Sequence, residues 1–157
     1  MKKYELTDDT ITVGGRTLHR IKALKGFSNV EEGELGGYVE REDNLGQSKN
    51  AWVSENARVC GDAQVYGDAR VCGNARVCGN AQVSGENDYT TAKGFGRNYR
   101  TTTFFRLQDG GIGVRCGCFY GTLDEFREKV KETHEESKLG KEYLMLADLM
   151  EYKFKDE

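Results

Sequence analysis

Proline is missing from all 157 residues, and histidine occurs only twice, as His19 and His134. The first absence removes prolyl isomerisation as a conformational switch, because cis peptide bonds are in practice a proline property. The second removes the commonest general base and leaves too few imidazoles for a multi-histidine metal centre. Long apolar runs are missing too: nothing approaches a membrane span or a signal-peptide core. Net charge is small, at -3, which excludes the strongly basic profile of a general nucleic-acid binder. Charged residues make up 31% of the chain and the mean hydropathy is -0.71, the balance of a water-exposed protein of one to two small domains. Cysteine is not scarce. Five cysteines, an odd number without a signal sequence, point to a reducing cytoplasm.

What the chain has in abundance is repetition. From Ala51 to Glu86 one six-residue phrase is written six times: AWVSEN, ARVCGD, AQVYGD, ARVCGN, ARVCGN, AQVSGE. Alanine opens every copy and valine stands third in every copy, with polar or charged residues between them. Alternation of this kind is the signature of a strand, and the Gly-Asp or Gly-Asn pair closing most copies supplies the following turn. A strand this short cannot bury its valine alone, so the units are expected to coil and stack on one another.

The repeat resembles the left-handed parallel β-helix family. In that family three six-residue units make a triangular coil, with an aliphatic residue and, four places later, a small residue pointing inward; Val59 and Ala63 fit this. The resemblance implies two coils from the six copies. Extending the phase backwards places Leu35 and Gly37 in the valine and glycine slots of an irregular first coil from about Gly33 to Asn50, which Arg41 and Gln47 interrupt.

Three parts follow: residues 1-32, 33-86 and 87-157. In the first, TITV, Gly14-Gly15 and RTLHRIKAL predict a β-hairpin covering an open end of the coils. In the last, the run from Tyr99 to Leu107, the turn Gln108-Asp109-Gly110-Gly111 and the run Ile112 to Tyr120 predict a second hairpin. Thr122-Leu123-Asp124-Glu125 is a capping box that starts a helix through about Thr133, with Leu123, Phe126 and Val130 on one face. A further helix from about Lys141 to Tyr152 turns Leu144, Ala147 and Met150 or Leu149 inward. The expected fold is therefore mainly β: an N-terminal hairpin cap, a short left-handed parallel β-helix, and a C-terminal α+β part of a hairpin plus two helices.

Many relatives in the β-helix family are acyltransferases that use a histidine on a coil or a projecting loop. Neither histidine here falls in a coil and no long loop interrupts the copies, so that activity would need Asp88 or Glu86 as a substitute base. Cys60 and Cys78 stand eighteen residues apart, so in the eighteen-residue coil that the resemblance implies they stack in one column, while Cys72 lies over Ser54. Either the slot simply tolerates Ser, Cys or Tyr, or the thiols form a site; without a convergent ligand set a metal is not expected. Cys116 and Cys118 are expected on the same face of one strand, as small core-facing residues.

The outer faces carry two candidate anion sites. Arg58 stacks on Arg76, and two superposed guanidinium groups repel unless a carboxylate or an anion sits between them. Glu55, Asp62 or Glu86 could answer them, or a ligand phosphate could. The second candidate begins at Lys93-Gly94-Phe95-Gly96-Arg97, whose glycine amides and flanking cations suit an anion, and runs into a strand whose Arg100, Thr102, Phe104 and Arg106 share one face. Arginine and threonine can hold phosphate there while Phe104 or Tyr99 stacks on a base, with Arg115 joining from the partner strand. The alternative is a solvated strand whose arginines pair with the acidic helix.

The ELGGY segment from Glu34 to Tyr38, the degenerate six-residue coils, RTTTFF and GTLDEFR together resemble small proteins of bacteriophages and prophages. Some compact phage proteins sequester the cyclic nucleotide or cyclic ADP-ribose signals of bacterial defence. The resemblance implies a homotrimeric, non-enzymatic sponge in the cytoplasm of an infected host, needing no cofactor and binding a small anionic, nucleotide-like ligand at subunit interfaces. An inhibitor of a basic host protein, docking through Glu125, Glu128, Glu132, Glu135 and Glu136, is the alternative from another class.

Overall fold

The structure, a computed structural model, describes residues 2-155. It begins with the expected hairpin, β1 (Tyr4–Val13) and β2 (Arg16–Ala23), closed with Val13 opposite Arg16. Gly14 and Gly15 both have positive φ, 55° and 81°, as the tight two-residue turn requires. Strand β3 (Leu35–Val39) pairs antiparallel with β2 and parallel with the repeat strand Arg58–Val59, so the hairpin extends one face of the repeat region.

Each six-residue copy contributes one two-residue strand: β4 (Trp52–Val53), β5 (Arg58–Val59), β6 (Gln64–Val65), β7 (Arg70–Val71), β8 (Arg76–Val77) and β9 (Gln82–Val83). All three ladders are parallel and join equivalent residues eighteen apart: Val53 with Val71, Val59 with Val77, Val65 with Val83. The chain thus returns to the same side after three copies. Every repeat alanine and valine from Ala51 to Val83 is buried in one continuous core. The corners are left-handed at Gly61, Gly67, Gly73 and Gly79, with φ from 62° to 66°, and Glu55 occupies the same conformation at φ 57° without a glycine's freedom.

The phase of the preceding segment differs from the sequence expectation. Val39 pairs with Val59 and Leu45 bridges to Val65, a separation of twenty rather than eighteen, so Val39 and Leu45 fill the core slots. Leu35 is 56% exposed instead. Two extra residues between Leu45 and Val53 absorb the difference, with Lys49 left-handed at φ 57°. Asn44 secures this irregular corner: its Oδ1 accepts from the Glu40 and Arg41 amides, and its Nδ2 donates to the carbonyls of Gly61 and Ala63. At that end of the core Tyr4 and Phe27 pack edge-on to Trp52, and Lys3 donates to the Ala51 carbonyl at 2.6 Å.

The last third is a four-stranded antiparallel meander, β10 (Tyr89–Phe95), β11 (Arg100–Arg106), β12 (Ile112–Cys116) and β13 (Phe119–Thr122), followed by α1 (Leu123–His134) and α2 (Lys138–Lys153). The capping box forms as read: the Glu125 amide donates to Thr122 Oγ1 and the Thr122 amide to Glu125 Oε1. One detail departs from the sequence reading, and one alternative it left open is decided. The single strand expected from Ile112 to Tyr120 breaks at Gly117, φ 57°, which puts Cys118 in an exposed turn rather than beside Cys116. In α2, Ala147 and Met150 are buried while Leu149 is 56% exposed.

Both faces of this sheet are used. Phe104 and Val114 meet Leu123, Phe126, Val130, Tyr143, Ala147 and Met150 beneath the helices. Phe105, from the opposite face, joins the core of the repeats, where the Arg76 amide donates to Thr103 Oγ1 and Ala81 bridges to Leu107.

Candidate functional site

Seating the meander against the last repeats leaves a cleft beside β5 and β8. Its floor is the outward column of Arg58 and Arg76, which are register partners. The hairpin tip at Val13-Gly14 forms one wall, and Arg115 and Tyr120, projecting from the coil-facing side of β12 and β13, form the other. Two cavities adjoin there, of about 290 Å³ and about 760 Å³, and share Val13, Gly14, Arg76 and Arg115. The larger one continues past Lys93, Tyr99 and Arg100. Arg100 lies across Gly117, where a Cβ would collide with its guanidinium, so the turn that splits β12 from β13 also makes room for that side chain.

The electrostatics are one-sided. Among the described residues Arg58, Arg76, Arg100 and Arg115 have no ion pair, and the nearby carboxylates are engaged elsewhere. Glu40 accepts from Arg16 at 2.9 Å and from the Gly61 amide at 2.8 Å, contacts that hold it below the usual carboxylate range although burial pushes the other way. Asp62 turns to Arg41 at 3.0 Å. The Arg76 guanidinium is pushed down from its ordinary value by burial first, then by Arg58, Arg115 and Arg100. Clustered cations of this kind lower one another's affinity for protons and raise the local affinity for an anion.

Two thiols line the smaller cavity. Cys60 is pushed down to about 7, chiefly by the adjoining Cys78 thiol, with Arg16 and Arg115 adding to the effect against the cost of burial. The same contact and burial push Cys78 up. Burial also raises the Tyr120 phenol, whose ring stacks on Phe105 at 6.4 Å and 11°.

Of the residues singled out from the sequence, Arg58, Arg76, Lys93, Tyr99, Arg100 and Arg115 converge on this cleft. The two anion candidates are thus one. The others lie elsewhere. Thr102 and Phe104 are wholly buried; Thr102 donates to Cys116 Sγ at 3.3 Å and Phe104 meets Phe126 edge-on at 6.1 Å, so neither can meet a ligand. Arg106 pairs with Asp88 at 3.1 Å, donates to the Phe154 carbonyl and lies over the Phe154 ring. The alternation that put these residues on one face was correct, but α1 and α2 cover that face. Phe95 packs near Tyr143, and Arg97 borders a separate cavity of about 240 Å³ between the sheet and the helices. Arg16 and Tyr120 were missed, for they reach the cleft only because the hairpin tip and β13 flank the repeats. Glu55 and Glu86, offered as partners for the stacked arginines, make no ion pair with them among the described residues.

No protein-family profile and no curated protein matches this chain. No helix among the described residues is long and apolar enough to cross a membrane, and no group of three or more His, Cys, Asp or Glu side chains there could hold a metal ion.

Proposed function

We propose that this protein is a non-enzymatic binder of a small phosphate-bearing anion, nucleotide-like in character, held by Arg58, Arg76, Arg100 and Arg115. One observation carries the reading: four guanidinium groups from two parts of the chain converge on an open cleft with no carboxylate paired to them among the described residues. Arginine forks suit phosphate oxygens, and a charge-assisted hydrogen bond contributes about 1.5–3 kcal/mol. Tyr99 at one end and Tyr120 at the other are placed to stack on rings that flank the phosphates. A cyclic nucleotide or a cyclic ADP-ribose species has this pattern of charge and ring.

In the same reading the parallel rungs wind as a left-handed β-helix, and the chain assembles as a homotrimer in the cytoplasm of a phage-infected bacterium, where it sequesters a defence signal. The fold and phage resemblances of the repeat support this. An exposed stripe of Met145, Leu149 and Tyr152 along α2, 69%, 56% and 78% accessible, supplies an apolar surface for a neighbouring subunit. The protein-inhibitor alternative finds less support, because Glu128 and Glu132 are paired within α1 to Lys131 and Lys129.

Native mass spectrometry with pyrophosphate, ADP-ribose and cyclic dinucleotides tests both halves. A trimer carrying up to three intact ligands is expected. A monomer would remove the assembly, and a protein that holds none of these anions would remove the binding reading.

A further inference from the structure

We propose that Cys60 and Cys78 form a peroxide-oxidisable dithiol in the floor of the arginine cleft, with Cys60 as the attacking sulfur and Cys78 as the resolving one.

The placement comes from the repeat. Cys60 and Cys78 follow the register partners Val59 and Val77, and the Cys60 amide donates to the Val77 carbonyl at 3.0 Å. Neighbouring strands lie about 4.8 Å apart, inside the about 4.4–6.8 Å Cα separation that a disulfide bridges. Among the repeat cysteines no other pair is so placed. Cys72 lies on β7's rung above Ser54, and Cys118 sits in the β12–β13 turn. Exposure divides the roles: Cys60 is half-buried and borders the 290 Å³ cavity, while Cys78 is 8% exposed behind it.

The surroundings favour a thiolate at Cys60. Arg16 approaches from β2 and Arg115 from β12, with Arg58 and Arg76 in the adjoining column. Against them stands Glu40, already held by Arg16 and the Gly61 amide, and Asp62, which is turned to Arg41. Tyr120 is raised and stays neutral near pH 7. The ionisation of Cys60 near 7 is consistent with this arrangement.

The chemistry balances with a hydroperoxide as the oxidant. The Cys60 thiolate attacks the terminal peroxide oxygen; an S–O bond forms, the O–O bond breaks, and the alkoxide or hydroxide that leaves takes a proton from solvent. Cys78 then attacks the sulfur of the resulting sulfenic acid, an S–S bond forms, and the hydroxyl leaves as water with the Cys78 proton. Two thiols are oxidised and one hydroperoxide is reduced to an alcohol or water.

Reduced full-length protein treated with stoichiometric hydrogen peroxide, followed by non-reducing peptide mapping, tests this. Loss of two hydrogens and a Cys60–Cys78 cross-linked peptide are expected. At pH 7 Cys60, held below the ordinary thiol range, is expected to react in a faster phase than Cys72 and Cys118. In Cys78→Ser, dimedone is expected to trap a sulfenic acid on Cys60, and in Cys60→Ser that fast phase is expected to vanish. Serine already fills this slot at Ser54 and Ser84, so both variants retain the fold. Oxidation that reaches Cys72 or Cys118 first, an undiminished fast phase in Cys60→Ser, or a Cys60 sulfenic acid that never links to Cys78 would overturn the proposal.

Discussion

Arg58 and Arg76 are register partners on adjacent parallel rungs, so two positive charges lie one above the other on the floor of the cleft. Superposed like charges destabilise a sheet face unless something of opposite sign lies between them. Here the nearest acids serve other cations, Glu40 with Arg16 and Asp62 with Arg41. Repulsion without a ligand and affinity with one are two consequences of the same geometry.

Arg76→Gln is therefore expected to weaken pyrophosphate binding by about tenfold to a hundredfold, the loss of one charge-assisted hydrogen bond. In the absence of anion the variant should melt no lower than the parent. Isothermal titration calorimetry and thermal unfolding with and without pyrophosphate check both expectations; equal affinity would exclude Arg76 from the site.

Between pH 6 and pH 8 the anion affinity of the parent is expected to fall relative to that of Cys60→Ser. Cys60 is lowered to about 7, so within that window it changes from a neutral thiol to a thiolate and places a negative charge in the cleft that a phosphate must enter. Cys60→Ser removes this charge and should flatten the profile. Pyrophosphate ionises further over the same range, so the comparison is between variant and parent at each pH, and identical profiles would refute the expectation.

Arg106→Ala is expected to spare anion binding and lower stability. Its guanidinium joins Asp88 to the Phe154 end of α2 with both side chains only partly exposed, 25% and 19%. Removing it should cost about 1–2 kcal/mol, between the values for an exposed and a buried pair. Chemical denaturation together with calorimetry separates this structural role from a binding one.

Glu55→Gly should stabilise the protein by about 0.5–1 kcal/mol. The left-handed backbone strains a residue with a Cβ, and relief of that strain exceeds glycine's entropic cost in the unfolded chain. At the equivalent corners glycine already stands at positions 61, 67, 73 and 79. A lower denaturation midpoint in the variant would contradict this.

Phe105→Ala is expected to cost about 3–5 kcal/mol, the usual penalty for emptying a buried aromatic site. Phe105 joins the core of the repeats to the meander and stacks on Tyr120. The loss should therefore also loosen the cleft wall and reduce anion affinity, unlike Arg106→Ala.

Much of the fold could be read from local pattern. The alanine and valine slots, the glycine corners, the Gly14-Gly15 turn and the Thr122 capping box are each decided by a few neighbouring residues, and all formed as read. The shift to Val39 and Leu45 was not legible, because two extra residues near Lys49 change the stacking phase without marking where they are absorbed. Strand β10 was passed over because Tyr89 to Phe95 mixes threonine, lysine and glycine, and it is held by pairing with β11 rather than by its own pattern.

The sequence by itself determined the six-residue phase, which puts Arg58 and Arg76, and Cys60 and Cys78, in equivalent slots; that three units make a turn, so that these pairs stack, is decided by the parallel ladders eighteen residues apart. It also determined that Arg100, Thr102, Phe104 and Arg106 share a face, since strand alternation has a period of two. Only the tertiary structure decided which faces stay open. The helices cover the face of Phe104, Phe105 enters the core of the repeats, and Arg115 and Lys93 are thereby brought to the stacked arginines; Arg100, at the end of its strand, reaches them by lying across Gly117. Docking of a sheet depends on which apolar face finds which core, a long-range matter that local periodicity does not encode.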